Sequence, residues 1–348
     1  MKNAPSGFQN VKESTIVIDL CQRPTLDIEY FREVISGNIT VIAVTLEDME
    51  FTNGYKKAMQ RDLCQVLCRI TDHYEWIKNA PDLAVLIEKI DDIYRAKKEG
   101  KVGVIFALQN IFIDDDLKIL EVLHKLGVRI IQLTYNERNL VGDGCAEPAN
   151  AGLSNFGRAV IEEMNRLGII IDLSHCSDRT TIEAIECSRE PVMFTHANVR
   201  ELNPNIRNKT SKQIRKLADK GGVVGLTTYP PLTGIDDRKS PNLEDFLGQI
   251  DYVRNLVGVD HIAIGTDYDT KGTRDISLSK EITRKFSEVY SVTYKTNCNN
   301  PAIKGFEKLD QFPSIISGLF THGYSQEDVI KILGGNAIRL FSQVWKEV

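Results

Sequence analysis

Residues 152–178 read GLSNFGRAVIEEMNRLGIIIDLSHCSD, and this stretch decides the fold. Ser154 is a favoured helix N-cap, and Gly168 is a favoured helix end. Between them, apolar side chains recur at steps of three and four and predict one buried helix face: Phe156, Val160, Met164 and Leu167. Residues 168–173 then form a continuously apolar run, as expected for a parallel strand buried on both faces. The stretch therefore predicts the helix-to-strand unit of a parallel α/β fold.

The same alternation of apolar runs and amphipathic segments extends through the chain. Eight strands are predicted, at residues 14–19, 40–45, 102–108, 128–134, 168–173, 191–195, 222–228 and 261–266. Eight βα units close into a barrel more readily than they fill an open sheet, and no low-complexity linker divides them. We therefore predict one α/β domain over residues 1–348, a (β/α)8 TIM barrel. A C-terminal helical extension, residues 325–348, is expected to pack on its outside, and residues 270–311 to pass over its mouth.

Composition excludes several classes of function. The 348 residues carry a formal net charge of −5, so the chain lacks the basic field that holds nucleic acid or anionic lipid. No apolar run approaches the roughly 20 residues of a membrane span, and the polar N-terminus lacks the apolar core of a signal peptide. Seven scattered cysteines, an odd number, favour reduced thiols, most of them buried. We predict a cytoplasmic protein that binds neither nucleic acid nor a membrane.

Polar side chains follow several predicted strands, at the end of a barrel where active sites lie. His175 and His196 follow two neighbouring strands, which are about 4.8 Å apart, so both imidazoles could reach one ion. Asp267 follows the last strand and adds a carboxylate. Together these three residues predict a metal or catalytic site.

The other four histidines are expected to lie outside this site. His261 begins its strand and so belongs at the opposite end of the barrel, which serves stability. His73, His124 and His322 fall in helical or loop segments, where we expect them to be solvated.

Five blocks, in order, resemble the membrane (renal) dipeptidase family of metallopeptidases: GLSNFGRAVIEEMNRLGIIIDLSHCSD, PVMFTHANVRELNPNIRN, GGVVGLTTYP, HIAIGTDYD and GGNAIRLF. The resemblance implies a metallo-dependent hydrolase barrel that cleaves dipeptides with two zinc ions, bridged by a carboxylate and a hydroxide. It also implies a homodimer. By the same resemblance, His175 and His196 are ligands of one zinc. Arg207 then holds the substrate carboxylate, and Asp267 is the acid/base that relays the proton.

Three regions depart from the family pattern. Cys21-Gln22-Arg23 stands where the family has His-x-Asp at the end of its first strand. Gln109 replaces the bridging glutamate, and Tyr135 replaces a substrate-contacting histidine. Arg in place of Asp and Gln in place of Glu remove two negative charges and add a positive one. Two dications a few ångströms apart need such anionic ligands, so we expect at most one ion, zinc, per chain.

Three interpretations of the altered site remain open. In the first, one ion is held by the two histidines, with Cys21, Gln109 or Asp267 as a further ligand. In the second, the metal is absent, and a Cys21 thiolate whose pKa is lowered by Arg23 acts as the nucleophile of another reaction. In the third, a non-catalytic protein binds a small anionic ligand at Arg23 and Arg207.

The function we predict is dipeptidase-like hydrolysis of a small peptide or amide that carries a free carboxylate. Asp267 and Tyr135 are the predicted catalytic residues, and Asp267 passes a proton from the attacking water to the leaving amine. Arg207 and Arg23 are the predicted substrate-binding residues. The rival prediction is a metal-poor enzyme or ligand-binding protein.

Overall fold

The computed structural model describes residues 7–46, 63–235, 240–269 and 302–346. Within them, eight parallel strands form a closed barrel, which confirms the predicted fold class. The barrel strands are β1 (Ile18–Arg23), β2 (Val41–Thr45), β4 (Val102–Leu108), β5 (Val128–Gln132), β6 (Ile170–Asp172), β7 (Met193–Phe194), β8 (Val223–Leu226) and β9 (Ile262–Ile264). Two further strands, β3 (Ala84–Leu86) and β10 (Tyr268–Asp269), pair with β4 and β1.

The barrel closes because β9 pairs in parallel with both β8 and β1. Ile264 is aligned with Leu226 on one side and with Asp19 on the other. Every other neighbouring pair in the ring is also parallel. The carboxyl ends of all eight strands therefore meet at one mouth, where the loops that follow them lie.

Helices surround the barrel, and the caps of the helix before β6 are those that the sequence predicts. Ser154 Oγ accepts from the Gly157 amide at 2.9 Å, and Gly168 ends the helix with φ 74°. The described helices are α1 (Phe8–Ser14), α2 (Ile28–Ser36), α3 (Leu63–Lys78), α4 (Ile90–Glu99), α5 (Lys118–Lys125), α6 (Asn155–Leu167), α7 (Asp178–Cys187), α8 (Ser211–Asp219), α9 (Pro230–Thr233), α10 (Leu243–Val257), α11 (Phe312–Thr321), α12 (Gln326–Ile330) and α13 (Asn336–Val344). A π-helical turn, Lys331–Gly335, joins α12 to α13.

Strand boundaries differ from the prediction at the start of the barrel. The sequence predicts the first strand at residues 14–19, whereas β1 runs from Ile18 to Arg23. Cys21 and Arg23 therefore lie within the strand rather than after it. The sequence prediction does not include β3 or β10, two short strands that lie outside the ring of eight.

The C-terminal extension is helical as predicted, but it does not pack on the outside of the barrel. Alternate residues of β2, Val41 and Ala43, belong to the apolar cluster of the barrel interior. That cluster also contains apolar residues of α13: Ala337, Leu340, Phe341 and Val344. A Cβ at Gly334 would lie 2.3 Å from the carbonyl oxygen of Ile16, just ahead of β1. The extension thus closes the amino-terminal end of the barrel, where its apolar face covers an interior that would otherwise meet water.

Other predictions fall partly outside the described residues. Residues 270–301, most of the segment expected to cross the mouth, lie outside the described residues, and this range includes Cys298. Three of the six described cysteines are buried (Cys21, Cys145 and Cys176), whereas Cys64 and Cys68 are exposed. No helix in the described ranges is long and apolar enough to cross a membrane.

Candidate active site

Side chains from several strands meet at the carboxyl-terminal mouth of the barrel. His175 and His196 follow β6 and β7, and their Nε2 atoms lie 3.0 Å apart. Cys21 of β1 accepts a hydrogen bond from Gln109 Nε2, just after β4, at 3.2 Å. Its Sγ also lies 3.9 Å from Asp267 Oδ1, beyond the end of β9. The residues that the sequence places at strand ends are therefore brought together in one site.

Both histidine rings are held through their Nδ1 atoms. His175 Nδ1 lies 2.7 Å from Asn136 Oδ1, and His196 Nδ1 lies 2.7 Å from Thr195 Oγ1. Thr195 donates its hydroxyl hydrogen to Asp172 Oδ2 at 2.6 Å, so its oxygen accepts from the His196 ring. With both Nδ1 atoms protonated, the two Nε2 atoms face each other as lone pairs. This is the tautomer in which histidine binds a metal ion.

Two aspartates each hold a threonine that follows the adjacent strand, and they do so through the same hydrogen bonds. Asp172 accepts from the Thr195 amide at 3.0 Å and from its hydroxyl at 2.6 Å. Asp19 accepts from the Thr266 amide at 2.8 Å and from its hydroxyl at 2.5 Å. We call these two arrangements the aspartate–threonine clasps. The residues that follow the two threonines are a predicted metal ligand and the predicted acid/base, so each clasp fixes the backbone directly ahead of one of them.

The backbone of Asp267 is held in an unusual conformation. Its φ is 56°, in the left-handed region that non-glycine residues rarely adopt, and its amide donates to the Cys21 carbonyl at 2.8 Å. Such a conformation costs on the order of 1–3 kcal/mol and tends to occur at functional sites. The neighbouring clasp is fully buried: burial raises the pKa of Asp19 to about 6, although hydrogen bonds from Thr266 and Gln22 oppose the rise.

The surroundings of Cys21 contradict one sequence-based interpretation. The residue is 3% exposed, and burial raises the pKa of its thiol well above the usual value. The negative charges of Asp267 and Asp19 raise that pKa further. The expectation that Arg23 lowers the pKa of Cys21 was therefore wrong, because the thiol is buried beside two carboxylates. In the absence of a metal ion, Cys21 is a protonated thiol and a poor nucleophile.

Burial and nearby positive charges both act on His175. Burial lowers the pKa of His175 well below its usual value, and Arg207, Lys209 and Arg23 are among the charges that lower it further. Lys209 is itself buried, and its Nζ donates to the Cys176 carbonyl at 3.0 Å. His175 is consequently neutral, which is the form that donates a lone pair to a metal ion.

Arg207 lies beneath the two histidines. It is 1% exposed, and its Nη1 donates to the Ser174 carbonyl while Nη2 donates to the His196 carbonyl at 3.0 Å. Its Nε has no hydrogen-bond partner within the described part of the chain. Arg207 thus joins the two turns that carry the histidines, an architectural contact that the sequence did not predict.

The Tyr135 ring stacks against the His175 ring. The two rings stack with their centroids 4.1 Å apart and their planes inclined by 22°. Tyr135 is half-buried at the mouth, whereas the next residue, Asn136, is buried under the same imidazole. The pair covers one face of His175 and holds its Nδ1 edge.

A pocket opens beside Asp267. Its lining combines aromatic side chains with carboxylates: Thr228, Tyr229, Pro230, Thr266, Asp267, Tyr268, Asp269, Ala302, Phe306 and Glu307. The pocket follows the ends of β8 and β9, which is the usual position for a substrate site in this fold.

Three side chains at the mouth could share a metal ion. Cys21, His196 and Asp267 each offer a ligand atom, and these atoms all lie within 4.8 Å of one another. Zinc accepts nitrogen, sulfur and oxygen donors of these kinds. By the resemblance stated above, Arg23 and the amide of Gln109 stand where anionic ligands of a two-metal site are expected. A cation and a neutral amide do not offset the repulsion between two dications.

Sequence reasoning missed the residues that hold the site. No holding role was predicted for the clasp residues, Asp19 with Thr266 and Asp172 with Thr195, or for Asn136. One signal was available: a threonine directly precedes both His196 and Asp267.

The histidines outside the site are only partly as expected. His261 precedes β9 at the amino-terminal end, as predicted, and its Nδ1 lies 2.9 Å from the Gly222 carbonyl. His73 and His124 are buried rather than solvated. His73 packs against Trp76 and Phe106, with ring centroids 4.8 and 5.9 Å away, because it lies on the inner face of α3.

The chain is similar in sequence to known proteins. The family model for membrane dipeptidase, peptidase family M19, matches residues 9–293. The protein named dipeptidase tcpJ, from Claviceps purpurea, is 28% identical over 301 residues, 85% of this chain. Dipeptidase aclJ, from Aspergillus oryzae, is 29% identical over 276 residues, 78% of this chain. The matches cover 63% and 59% of these two relatives, so the chain spans about 60% of their lengths.

A solved structure matches nearly the whole chain. It is an amidohydrolase from Pseudomonas aeruginosa, similar with a TM-score of 0.87 and 30% sequence identity. The match covers 98% of this chain and 99% of that one. The similarity extends over the barrel, the mouth and the C-terminal helices.

Proposed function

Since the chain belongs to the membrane dipeptidase family, peptidase family M19, we propose that it hydrolyses a small peptide or amide. The proposed substrate carries a free carboxylate, and the proposed site uses one metal ion. The observation that carries the proposal is the 3.0 Å separation of the His175 and His196 Nε2 atoms. Two nitrogen donors on one tetrahedral zinc ion lie about 3.3 Å apart. The pair is therefore already spaced for a shared ion.

The two histidines would hold the ion through Nε2, and further donors would come from the carboxyl end of β1 and the residues after β9. When bound, a zinc ion supplies a Lewis acid that polarises the scissile carbonyl. The chain's own contribution is a rigid ligand frame, because Asn136 and Thr195 fix the opposite edges of the imidazoles.

Asp267 is the proposed acid/base. It lines the pocket, and the Cys21 carbonyl holds its amide while the Asp19–Thr266 clasp holds the residue before it. A carboxylate held in this way can accept a proton from the attacking water and deliver it to the leaving amine. Its position next to the proposed ligands favours this role.

Three further residues are proposed to orient the substrate. Arg207 supplies a buried positive charge and an Nε donor toward a substrate carboxylate, although two of its other nitrogens bind backbone carbonyls. Arg23 is half-buried in β1, and its charge acts on His175. Tyr135 would contact the substrate from its place on the face of His175.

We expect weak hydrolysis of ordinary dipeptides. A site with one ion and no bridging carboxylate stabilises the tetrahedral intermediate less than a two-metal site does. Losing even one stabilising contact of that kind costs about 10²–10³ in kcat. Arg23 should shift the preference toward substrates with an additional negative charge.

The test combines metal analysis with a substrate panel. The purified full chain is analysed for metal content and assayed with neutral and acidic dipeptides at added zinc, beside Asp267→Asn. We expect about one zinc per chain, zinc-dependent cleavage that favours acidic substrates, and loss of activity in Asp267→Asn. Asp260→Asn, at the opposite end of the barrel, is the control and should behave like the unaltered chain. Two zinc ions per chain, or fast hydrolysis that survives Asp267→Asn, would contradict the proposal.

A second candidate function is binding of a small anion without hydrolysis. It is favoured by the cations near the histidine pair and by the amide at position 109, which cannot act as a bridging ligand. If the zinc-loaded chain cleaves no member of the panel but binds a dicarboxylate with an affinity that Arg23→Gln abolishes, this function replaces the first.

A further inference from the structure

A cysteine sulfur lies among the potential metal ligands of the site. The Sγ of Cys21 lies 3.9 Å from Asp267 Oδ1, and both residues belong with His196 to a group whose ligand atoms all lie within 4.8 Å. We infer that this chain binds its metal ion through a thiolate, with Cys21 and Asp267 as ligands beside the two histidines, His196 and His175. The inference rests on the proposed one-metal function but adds a donor type that the proposal does not require.

The distances fit such a site. A tetrahedral zinc ion with Zn–S of about 2.3 Å and Zn–O of about 2.0 Å places its sulfur and oxygen donors about 3.5 Å apart. The observed 3.9 Å therefore needs a shift of only a few tenths of an ångström. Cys21 lies on β1 and Asp267 follows β9, the strand that pairs with β1, and the Asp267 amide already donates to the Cys21 carbonyl at 2.8 Å.

Gln109 provides an independent observation. Its Nε2 donates to the Cys21 sulfur at 3.2 Å, in a contact that is buried. An amide N–H that points at a sulfur stabilises the thiolate, whereas a glutamate at the same position would repel it. Glutamine at position 109 and cysteine at position 21 therefore support each other as a ligand and its hydrogen-bond donor.

Charge balance supports a single ion. The Cys21 thiolate and the Asp267 carboxylate together carry two negative charges, which neutralise one dication. Because a cysteine binds zinc as its thiolate, metal binding should release a proton. A carboxylate that binds through one oxygen retains the second for proton transfer, so ligation does not exclude the role proposed for Asp267.

The donor set also predicts which metals bind. Thiolate sulfur favours zinc and cobalt, whereas magnesium, calcium and manganese prefer oxygen donors. We therefore expect the chain to bind cobalt and zinc in preference to manganese.

The experiment reads the sulfur ligand directly. The full chain is stripped with a chelator and titrated with Co²⁺ while near-ultraviolet absorption is followed for sulfur-to-cobalt charge transfer. Cys64 and Cys68 are first replaced by serine, because both are exposed and lie four residues apart on α3. We expect a charge-transfer band that saturates at one equivalent and is lost in Cys21→Ser. The matched control, Cys176→Ser, removes another buried thiol and should keep the band.

A second variant and a second measurement test the inference even if Cys21→Ser does not fold. Gln109→Leu removes the N–H donor, so the band should move to longer wavelength and the Co²⁺ affinity fall by about 10- to 100-fold. X-ray absorption of the zinc-loaded chain should show one sulfur at about 2.3 Å. A spectrum without sulfur, or a band that persists in Cys21→Ser, overturns the inference.

These outcomes are separable from those of the proposed function. Zinc-dependent hydrolysis without a sulfur signal would refute the thiolate ligand but support the proposed function. A sulfur signal at one equivalent, with no hydrolysis of the panel, would refute the proposed function but support Cys21 as a ligand.

Discussion

At the residue scale, a hydroxyl decides how His196 is presented. The Thr195 hydroxyl donates to Asp172 and accepts from the His196 ring. The buried Asp172 carboxylate therefore orients the imidazole through this hydroxyl. Valine has nearly the same shape but no hydroxyl, so it removes one hydrogen bond from each of two buried polar groups, Asp172 and His196. We expect Thr195→Val to lower metal affinity by about 10- to 100-fold, as measured by competition with a chromogenic chelator.

Serine at the same position is the matched control for Thr195→Val. Thr195→Ser keeps the hydroxyl and should retain most of the affinity, because it can bond to both Asp172 and His196. If the serine and valine variants lose affinity equally while both remain folded, the hydroxyl does not position the ring. The methyl group of Thr195 would then be the feature that matters.

At the element scale, helix α13 completes the barrel core. Phe341 is fully buried and belongs to the interior cluster of the strands. We expect Phe341→Ala to lower the free energy of unfolding by about 3–5 kcal/mol, because it removes apolar contacts and leaves a cavity. Urea unfolding followed by circular dichroism measures the change. Gln343→Ala, on the exposed face of the same helix, should change stability by no more than about 0.5 kcal/mol.

Helix α5 introduces a pH dependence through its last turn. Burial lowers the pKa of His124 from its ordinary value of 6.5 to about 4, with a further contribution from Arg129. The unfolded chain therefore takes up this proton near pH 6.5, but the folded chain takes it up only near pH 4. Stability should be complete above about pH 6.5 and fall as the pH decreases toward about 4. His124→Gln should flatten this part of a plot of unfolding free energy against pH.

His322, just after α11, provides a contrast of opposite sign. Burial lowers its pKa, but hydrogen bonds from the ring to Asp251 and Glu244 raise it more, and the net shift is upward. Its contribution is present at low pH and lost as the pH rises through the raised pKa. His322→Gln should therefore weaken the chain at acid pH only. A His124→Gln variant that also loses stability at acid pH would contradict the assignment for His124.

At the scale of the whole molecule, the metal site joins strands that are distant in the chain. Its proposed ligands come from β1, from the turns after β6 and β7 and from the residue before β10, so a bound ion links the first strand to the last. An ion that binds only the folded state stabilises it by about 2.7 kcal/mol at one hundred times its Kd. We expect zinc to raise Tm in a concentration-dependent way and Cys21→Ser to reduce that increase. An unchanged Tm at saturating zinc would contradict a site built across the barrel.

Much of this fold and part of its site could be predicted from sequence, because the relevant signals are local. Apolar runs locate eight strands, and the cap residues Ser154 and Gly168 mark where one helix starts and ends. Since strands of a parallel barrel share one carboxyl end, the residues after them, including His175 and His196, could be assigned to a common mouth. The resemblance to a known family added roles for these residues but not their contacts.

What only the tertiary structure decided are contacts between residues far apart in the chain. Asp19 and Thr266 are 247 residues apart, and Cys21 and Gln109 are 88 apart, yet each pair is in hydrogen-bond contact. These contacts depend on barrel closure and strand register, which no local pattern specifies. The pKa of Cys21 has the same origin: its neighbour Arg23 in sequence suggested a thiolate, but burial beside Asp267 and Asp19 keeps the thiol protonated. Sequence alone thus determined the barrel and the residues at its mouth, whereas packing determined which atoms meet there, because burial and charge act through space rather than along the chain.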